Sequence, residues 1–170
     1  IIYKRIIDTQ GNDDYFDIDT VDQNTFQYTD INSNGNQSRL FYKIASLGIT
    51  EPSRQSPHHA QIWLTSSYDS CNAKIDLLWN FYEGWSNIDI HQYYYLYMGN
   101  NNNWATFQLL DSVGKFNNKY SIRNVQENNN YYFYLTAKRI DKPQLTYSNL
   151  NHCSTKMAIH PSYMMMDSII

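Results

Sequence analysis

Past residue 60 the chain alternates apolar and polar positions in short runs, the period-2 signature of half-buried strands. Residues 61–66 form one such run, and 74–79 form another that places Ile75, Leu77 and Trp79 on one face. Residues 91–98 put Tyr93, Tyr95 and Tyr97 on one face, while 131–140 alternate Tyr131, Phe133, Leu135 and Ala137. Residues 104–113, 119–125 and 146–153 complete seven predicted strands. Between them stand Asp69-Ser70, Glu83-Gly84, the run Asn100-Asn101-Asn102-Asn103, Asn117-Asn118, Asn128-Asn129-Asn130 and Lys142-Pro143. All are residues that favour turns, through local side-chain bonds to the backbone or a fixed φ. Seven short strands at this spacing predict an all-β chain built as a two-sheet sandwich.

The chain also repeats itself. At a constant offset of 92 residues, Ile18-Asp19-Thr20-Val21 lies on Leu110-Asp111-Ser112-Val113, Tyr28-Thr29 on Tyr120-Ser121, and Phe41-Tyr42 with Ala45 on Phe133-Tyr134 with Ala137. Beyond a two-residue gap, Ile2-Tyr3-Lys4-Arg5 lies on Leu96-Tyr97-Met98-Gly99. Such a period is too long for a solenoid and suits a sandwich module of about 100 residues. The expected organisation is a partial module over 1–57, a complete module over 58–153, and a tail over 154–170. The partial module begins at what should be its third strand, which leaves a sheet face and two edges to be covered. Residues 51–57, with Pro52 and Pro57 restricting the backbone, form the expected linker. A start at Ile1 with neither a basic nor an apolar leader reads as a segment of a longer protein.

Composition removes several function classes. Charged residues are 17% of the chain, and 16 tyrosines make its apolar area largely aromatic. A net charge of -3 and a pI near 5.9 give no electrostatic hook for nucleic acid. No apolar run approaches the roughly 20 residues that span a bilayer as a helix.

The motifs then carry a resemblance. Leu77-Leu78-Trp79-Asn80, Tyr82-Glu83-Gly84-Trp85, Tyr95-Leu96-Tyr97, Leu110-Asp111-Ser112-Val113 and Tyr131-x-Phe133-x-Leu135-x-Ala137, in that order, resemble the strand B, C, C', E and F pattern of a fibronectin type III domain. The match covers about residues 58–152, and 1–57 resemble the later strands of a preceding module. More narrowly, the combination is similar to the tandem fibronectin type III-like modules of large secreted Bacteroidetes surface proteins, those associated with gliding motility or sorted by a C-terminal domain. The resemblance implies an immunoglobulin-like, fibronectin type III β-sandwich, with Trp79 buried between the sheets and Tyr131 as a tyrosine corner bonding back to the backbone. It implies structural roles for Tyr95 and Phe133 as well. Arg39 stands where the first copy would repeat Tyr131. The same resemblance brings Cys71 and Cys153 to one pole, where a disulfide closing about 80 residues would constrain the unfolded chain by roughly 4 kcal/mol. Two free thiols are the other reading, because two cysteines are too few for a framework.

Candidate chemistry is sparse. Trp85, in the loop between strands B and C, and Trp104, after the Asn run, are placed to stack on sugar rings, with Asn102 and Asn103 supplying polar contacts. Trp63 is less committed, and the plain alternative is that these rings pack on the module or its neighbour. His58 and His59 are adjacent on a strand and so point apart; with His91, His152 and His160 dispersed, no metal site is expected. Asp13, Asp14, Asp17, Asp19, Asp22 and Asp30 could offer calcium several oxygens, but a solvated acidic face accounts for them. No phosphate loop or nucleophile elbow occurs, and nothing gives Glu83 and Asp89 the geometry of a glycosidase pair. The reading is a non-catalytic, cofactor-free spacer or adhesion scaffold, extracellular or at the cell surface. Its partners would be neighbouring modules of the same chain, with glycans or cell-surface proteins beyond them. The alternatives are a carbohydrate-binding module using Trp and Asn side chains, and an accessory module of a secreted hydrolase.

Overall fold

A strand forms where one side chain in two has something apolar to cover, and two groups of such strands exist. The computed structural model describes residues 1–7, 11, 13–48, 50–85 and 91–156. The first group is an antiparallel sheet of β1 (Ile2–Ile7), β2 (Asp13–Asp19), β3 (Phe41–Ile44) and β4 (His59–Ala60), in the order β2-β1-β3-β4. One of its faces carries Ile2 and Ile44, directly opposite each other, and Lys4 opposite Tyr42. Over that face lies the segment between β2 and β3, which forms no strand. Asp30 pins it there, with 9% of its side chain exposed and an ion pair of 3.2 Å to Lys4. It also accepts hydrogen bonds from Ser33 Oγ (2.5 Å), Tyr42 Oη (2.8 Å) and the Asn32 backbone N–H (3.0 Å). Burial alone would push this carboxyl up, but the bonds from Ser33, Tyr42 and Lys4 outweigh it and hold the pKa down to about 2.

The second group is a complete sandwich. One sheet runs β5-β6-β9, from β5 (Leu64–Asp69), β6 (Lys74–Trp79) and β9 (Lys119–Arg123). The facing sheet is built from β7 (Tyr93–Gly99), β8 (Gln108–Gly114), β10 (Asn130–Lys138), β11 (Leu145–Tyr147) and β12 (Asn151–Ser154), in the order β8-β7-β10 with β11 and β12 both along the far edge of β10. With β5, β6 and β9 as strands A, B and E, and β8, β7, β10 and the β11–β12 pair as C', C, F and G, this is the arrangement of a fibronectin type III sandwich. Ile75, Leu77 and Trp79 of β6 meet Tyr94 and Leu96 of β7 and Phe133, Leu135 and Ala137 of β10, all buried. The Trp79 and Tyr94 rings sit edge to face at 5.7 Å. Each large side chain so buried contributes about 1.5–3 kcal/mol, so this core carries most of the chain's stability.

The edges are closed by side chains acting as backbone. Asn149, buried between β11 and β12, accepts from the Leu64 N–H (2.7 Å) and donates to the Leu64 carbonyl (3.0 Å). The pattern replaces one ladder rung between β5 and the opposite sheet. Asn151 adds a second bond to the Leu64 carbonyl (3.2 Å). Ser148 Oγ accepts from the Leu135 N–H (3.0 Å) and donates to the Asn149 carbonyl. These bonds break the strand expected over 146–153 into β11 and β12. The strand expected over 104–113 also starts later: Asn103 caps a single 3-10 turn at Trp104–Thr106, accepting from the Ala105 N–H at 3.1 Å, and β8 follows. The strand expected at 61–66 runs instead from Leu64 to Asp69. Ser154 and Thr155, assigned to the tail, belong to the sandwich: β12 ends at Ser154, and the buried Thr155 hydroxyl donates to the Gln126 carbonyl at 2.7 Å. The rest of that tail, from 157, lies outside the described residues.

The two groups share a register detail. The β1–β2 pairing is irregular between Ile2 and Tyr3, with Ile2 opposite Asp19; the β7–β8 pairing is irregular between Leu96 and Tyr97, with Leu96 opposite Asp111. Across the other edge the match slips. Ile2 faces Ile44, whereas Leu96 faces Leu135, one residue away from the constant offset of 92. A one-residue slip reverses a strand's faces. Phe41 therefore does not repeat the buried position of Phe133; it lies under the guanidinium groups of Arg5 and Arg39, at 4.6 and 4.7 Å. Residues 51–57 are tied back to the first sheet, with the Ser53 N–H bonded to the Ser46 carbonyl and the Ser56 N–H to the Ile44 carbonyl, both at 2.8 Å. His59–Ala60 then pairs with β3, so the chain leaves the first sheet only between Ala60 and Leu64.

Candidate functional site

The outward face of the β8-β7-β10 sheet is aromatic. With Tyr94 and Leu96 turned inward, alternation sends Tyr93, Tyr95 and Tyr97 out, and the same holds for Tyr132 and Tyr134 on β10. Tyr97 and Tyr134 are direct cross-strand partners with stacked rings, 4.7 Å apart and 7° from parallel. Trp104 lies over Tyr134 at 4.7 Å and beside Phe107 at 5.7 Å. Tyr147 of β11 stands 6.2 Å from Tyr134 on the side of β10 away from β7. Beside these rings runs an open groove of about 430 Å³, lined by Tyr95, Thr136, Leu109, Leu145 and Tyr147 with the rings of Tyr97 and Tyr134, and with Lys138 as its one charged lining residue among the described residues. Burial raises the Tyr134 pKa, and the neighbouring Tyr97 and Tyr147 add to that. Trp104 is 52% exposed and Tyr147 48%.

Trp85 belongs elsewhere. Its ring is half-buried against the core, edge-on to Tyr82 at 4.6 Å and to His91 at 5.9 Å, with Arg139 at 5.8 Å. It closes one end of a cleft of about 1030 Å³ between the two groups of strands, lined also by Lys43, Arg54 and His58. Glu83 beside it takes 2.7 Å and 3.1 Å bonds from Arg39 and His58. Burial raises that carboxyl, and the bonds from Arg39 and His58 bring it below its ordinary range. His59 points the other way, to the Tyr82 hydroxyl at 2.7 Å, and burial lowers its pKa. Burial pushes the Tyr82 pKa up to about 12.

Trp85 and Trp104 therefore form no shared platform. Asn103 spends its side-chain oxygen on capping the Trp104 turn, and Asn102 is exposed beside it. Trp79 and Phe133 are core residues, and the Tyr131 hydroxyl accepts from the Gln126 N–H at 3.1 Å, five residues upstream. Tyr95 lines the outer groove instead of the core, because its neighbours Tyr94 and Leu96 take the inward positions. Cys71 and Cys153 are both free thiols. Leu64 bonds to Asn149 and Ser66 to Asn151, which sets Cys153 level with Tyr68; Cys71 lies three residues further, in the exposed β5–β6 turn. Among the described residues no cluster of three or more His, Cys, Asp or Glu could hold a metal ion. Asp13 pairs with Arg5 and Asp30 with Lys4, which divides the acidic group between separate partners. Asp89 and His160 fall outside the described residues. The tyrosine platform was missed in the sequence although the Tyr93-Tyr94-Tyr95-x-Tyr97 run signals it, because only the inner sheet decides which tyrosines turn out.

No protein-family model matches the chain, and no curated protein matches it. Among solved structures, the sixth fibronectin type III domain of human fibronectin type III domain containing protein 3 is 19% identical, with 65% of this chain and 96% of that one covered and a TM-score of 0.45. An Fn3-like protein from Clostridium thermocellum is 14% identical over 62% of this chain and 98% of that one, with a TM-score of 0.44. Pectate lyase PelI from Erwinia chrysanthemi, in complex with tetragalacturonic acid, is 13% identical over 54% of this chain, with a TM-score of 0.45. The match spans 28% of that lyase's length.

Proposed function

We propose that the chain is a non-catalytic scaffold segment of a larger exported protein, acting at the cell surface or outside the cell as spacer or adhesion module. The observation that supports this most is the complete sandwich around a largely apolar and aromatic core, with charged side chains held in surface ion pairs such as Arg39–Glu83 and Lys74–Asp76. Such a body sets distance and holds its faces out to partners: neighbouring modules of the same chain, cell-surface proteins or glycans. The first group of strands is a second, partial module in this reading, and the ties through residues 51–57 restrict the angle between the two. The likeness of its motifs to modules of secreted Bacteroidetes surface proteins supports the surface location.

The exposed thiol of Cys71 provides the test. On intact cells making the parent protein, a membrane-impermeant maleimide is expected to label Cys71, with the Cys71→Ser chain as the blank. Labelling only after lysis would overturn the surface location. Chromogenic ester and glycoside substrates are expected to show no turnover by the intact chain; turnover that a single substitution abolishes would overturn the non-catalytic reading. A second reading, carbohydrate binding, is favoured by the exposure of Trp104 beside Tyr134 and Tyr147.

A further inference from the structure

We propose that the outer face of the β8-β7-β10-β11 sheet binds a neutral oligosaccharide, seated on Trp104, Tyr134 and Tyr147 and running into the groove beside them. The proposal rests on the carbohydrate-binding reading and moves its site. Trp85 and the Asn run drop out, because Trp85 packs on the core and Asn103 caps a turn.

Three observations argue for a sugar chain. The first is shape. Trp104 and Tyr147 both stand against Tyr134, with centroids 4.7 and 6.2 Å from it, so three rings gather on this face, and an open groove lies beside them. A pyranose presents apolar C–H groups on its flat faces and hydroxyls around its rim, so it covers exposed aromatic rings while its polar groups meet polar neighbours. The second is the lining: Tyr95, Tyr97, Tyr134, Tyr147 and Thr136 all line the groove, and each carries a hydroxyl able to donate and to accept. The third is charge. Among the described residues Lys138 is the one charged group in the lining, so there a polyanion or a polycation meets no array of opposite charge. A Trp-lined setting that would suit an acidic sugar exists at the other cleft, around Lys43 and Arg54, whereas the described lining of the outer groove carries Lys138 alone. The platform is also pre-organised: Tyr134 is fixed by stacking on Tyr97, and Trp104 by the capped turn and Phe107. Rings held in place lose little freedom on binding.

The test is calorimetric and NMR titration of the intact chain with cellohexaose, laminarihexaose and xylohexaose, and with hexagalacturonate as the charged comparison. The variants are Trp104→Ala, Tyr147→Ala and Trp85→Ala, each checked for folding by near-UV circular dichroism. Saturable binding of a neutral hexasaccharide is expected, weakened roughly tenfold by Trp104→Ala and by Tyr147→Ala and unchanged between about 0.1 and 0.5 M salt. The NMR shifts should centre on Tyr97, Tyr134, Thr136 and Tyr147. Neutral-sugar binding that survives Trp104→Ala and Tyr147→Ala but is lost with folded Trp85→Ala would overturn this site and leave carbohydrate binding standing. Binding of hexagalacturonate alone, abolished by salt, would overturn the neutral ligand. No binding of any sugar would overturn both, while the scaffold reading would still be decided by the maleimide and turnover assays.

Discussion

Asn149 is the most exposed point of the account to experiment, because one buried amide replaces a piece of sheet. Its side chain accepts from and donates to the backbone of Leu64 at 2.7 and 3.0 Å, and both residues are buried. Asn149→Ala deletes two hydrogen bonds, each worth about 0.5–1.5 kcal/mol net, and leaves the Leu64 N–H buried without an acceptor at a further cost of about 1–3 kcal/mol. The Leu64 carbonyl keeps its 3.2 Å bond to Asn151, so the loss is not complete. The terms total about 2–6 kcal/mol, and with the Leu64 carbonyl still bonded the expected loss is the lower half of that range, about 2–4 kcal/mol, which for a module of this size lowers Tm by roughly 10–20 °C. Asn149→Asp keeps the acceptor, removes the donor and buries a charge, so near neutral pH it should destabilise at least as much. Guanidinium titration gives the free energies, and amide exchange at Leu64 gives the local effect: that amide should lose protection most. Asn102→Ala, in an exposed turn, is the control and should fall within about 0.5 kcal/mol of the parent. A loss below 0.5 kcal/mol for Asn149→Ala, with Leu64 still protected, would refute the claim that this side chain closes the edge.

Other expectations follow from the same structure. Asp30, held to a pKa of about 2 against an ordinary 3.8, should contribute about 2 kcal/mol that is fully present above pH 4 and is lost as pH falls toward 2; acid-unfolding curves of the parent and Asp30→Asn should converge in that window. If they stay parallel, Asp30 does not pin the first sheet. Trp79→Ala removes the largest buried ring and should cost about 3–5 kcal/mol by urea titration. Asn103→Ala should free the Trp104 turn, seen as a loss of near-UV signal and greater quenching of tryptophan fluorescence, with little change in global stability. Amides of β1 to β3, whose sheet is covered by a segment without strands, should exchange faster than those of β6, β7 and β10.

Much of the sandwich was legible from period alone. The 74–79 strand was readable to the residue because Ile75, Leu77 and Trp79 recur at period 2 and the 70–73 turn bounds its start. The breaks were not legible. Residues 146–153 read as one strand because Ser148 and Asn149 look like ordinary polar strand residues, and their side-chain bonds to Leu135 and Leu64 exist only once the sheets are together. The repeat misled in β3 for a related reason: Phe41-Tyr42 matches Phe133-Tyr134 by letter, yet strand pairing sets the register and turns Phe41 toward Arg5 and Arg39. For the site, sequence pointed to tryptophans because they are rare, and so chose Trp85 with Trp104. Which of the tyrosines at 93, 94, 95 and 97 turn outward depends on the β5-β6-β9 sheet claiming Tyr94 and Leu96, a choice made by tertiary packing.

The most direct test of the account is residue-resolved hydroxyl-radical footprinting of the intact chain, because the sandwich and its outer face stand on one alternation. Trp104, Tyr93 and Tyr147 should be modified rapidly, at 52%, 45% and 48% exposure, while Trp79, Tyr94 and Phe133 should stay protected until the chain unfolds. Rapid labelling of Tyr94 with protection of Tyr93 and Tyr147 would mean the register is shifted by one residue, and both the core and the aromatic face would be assigned to the wrong side of the sheet.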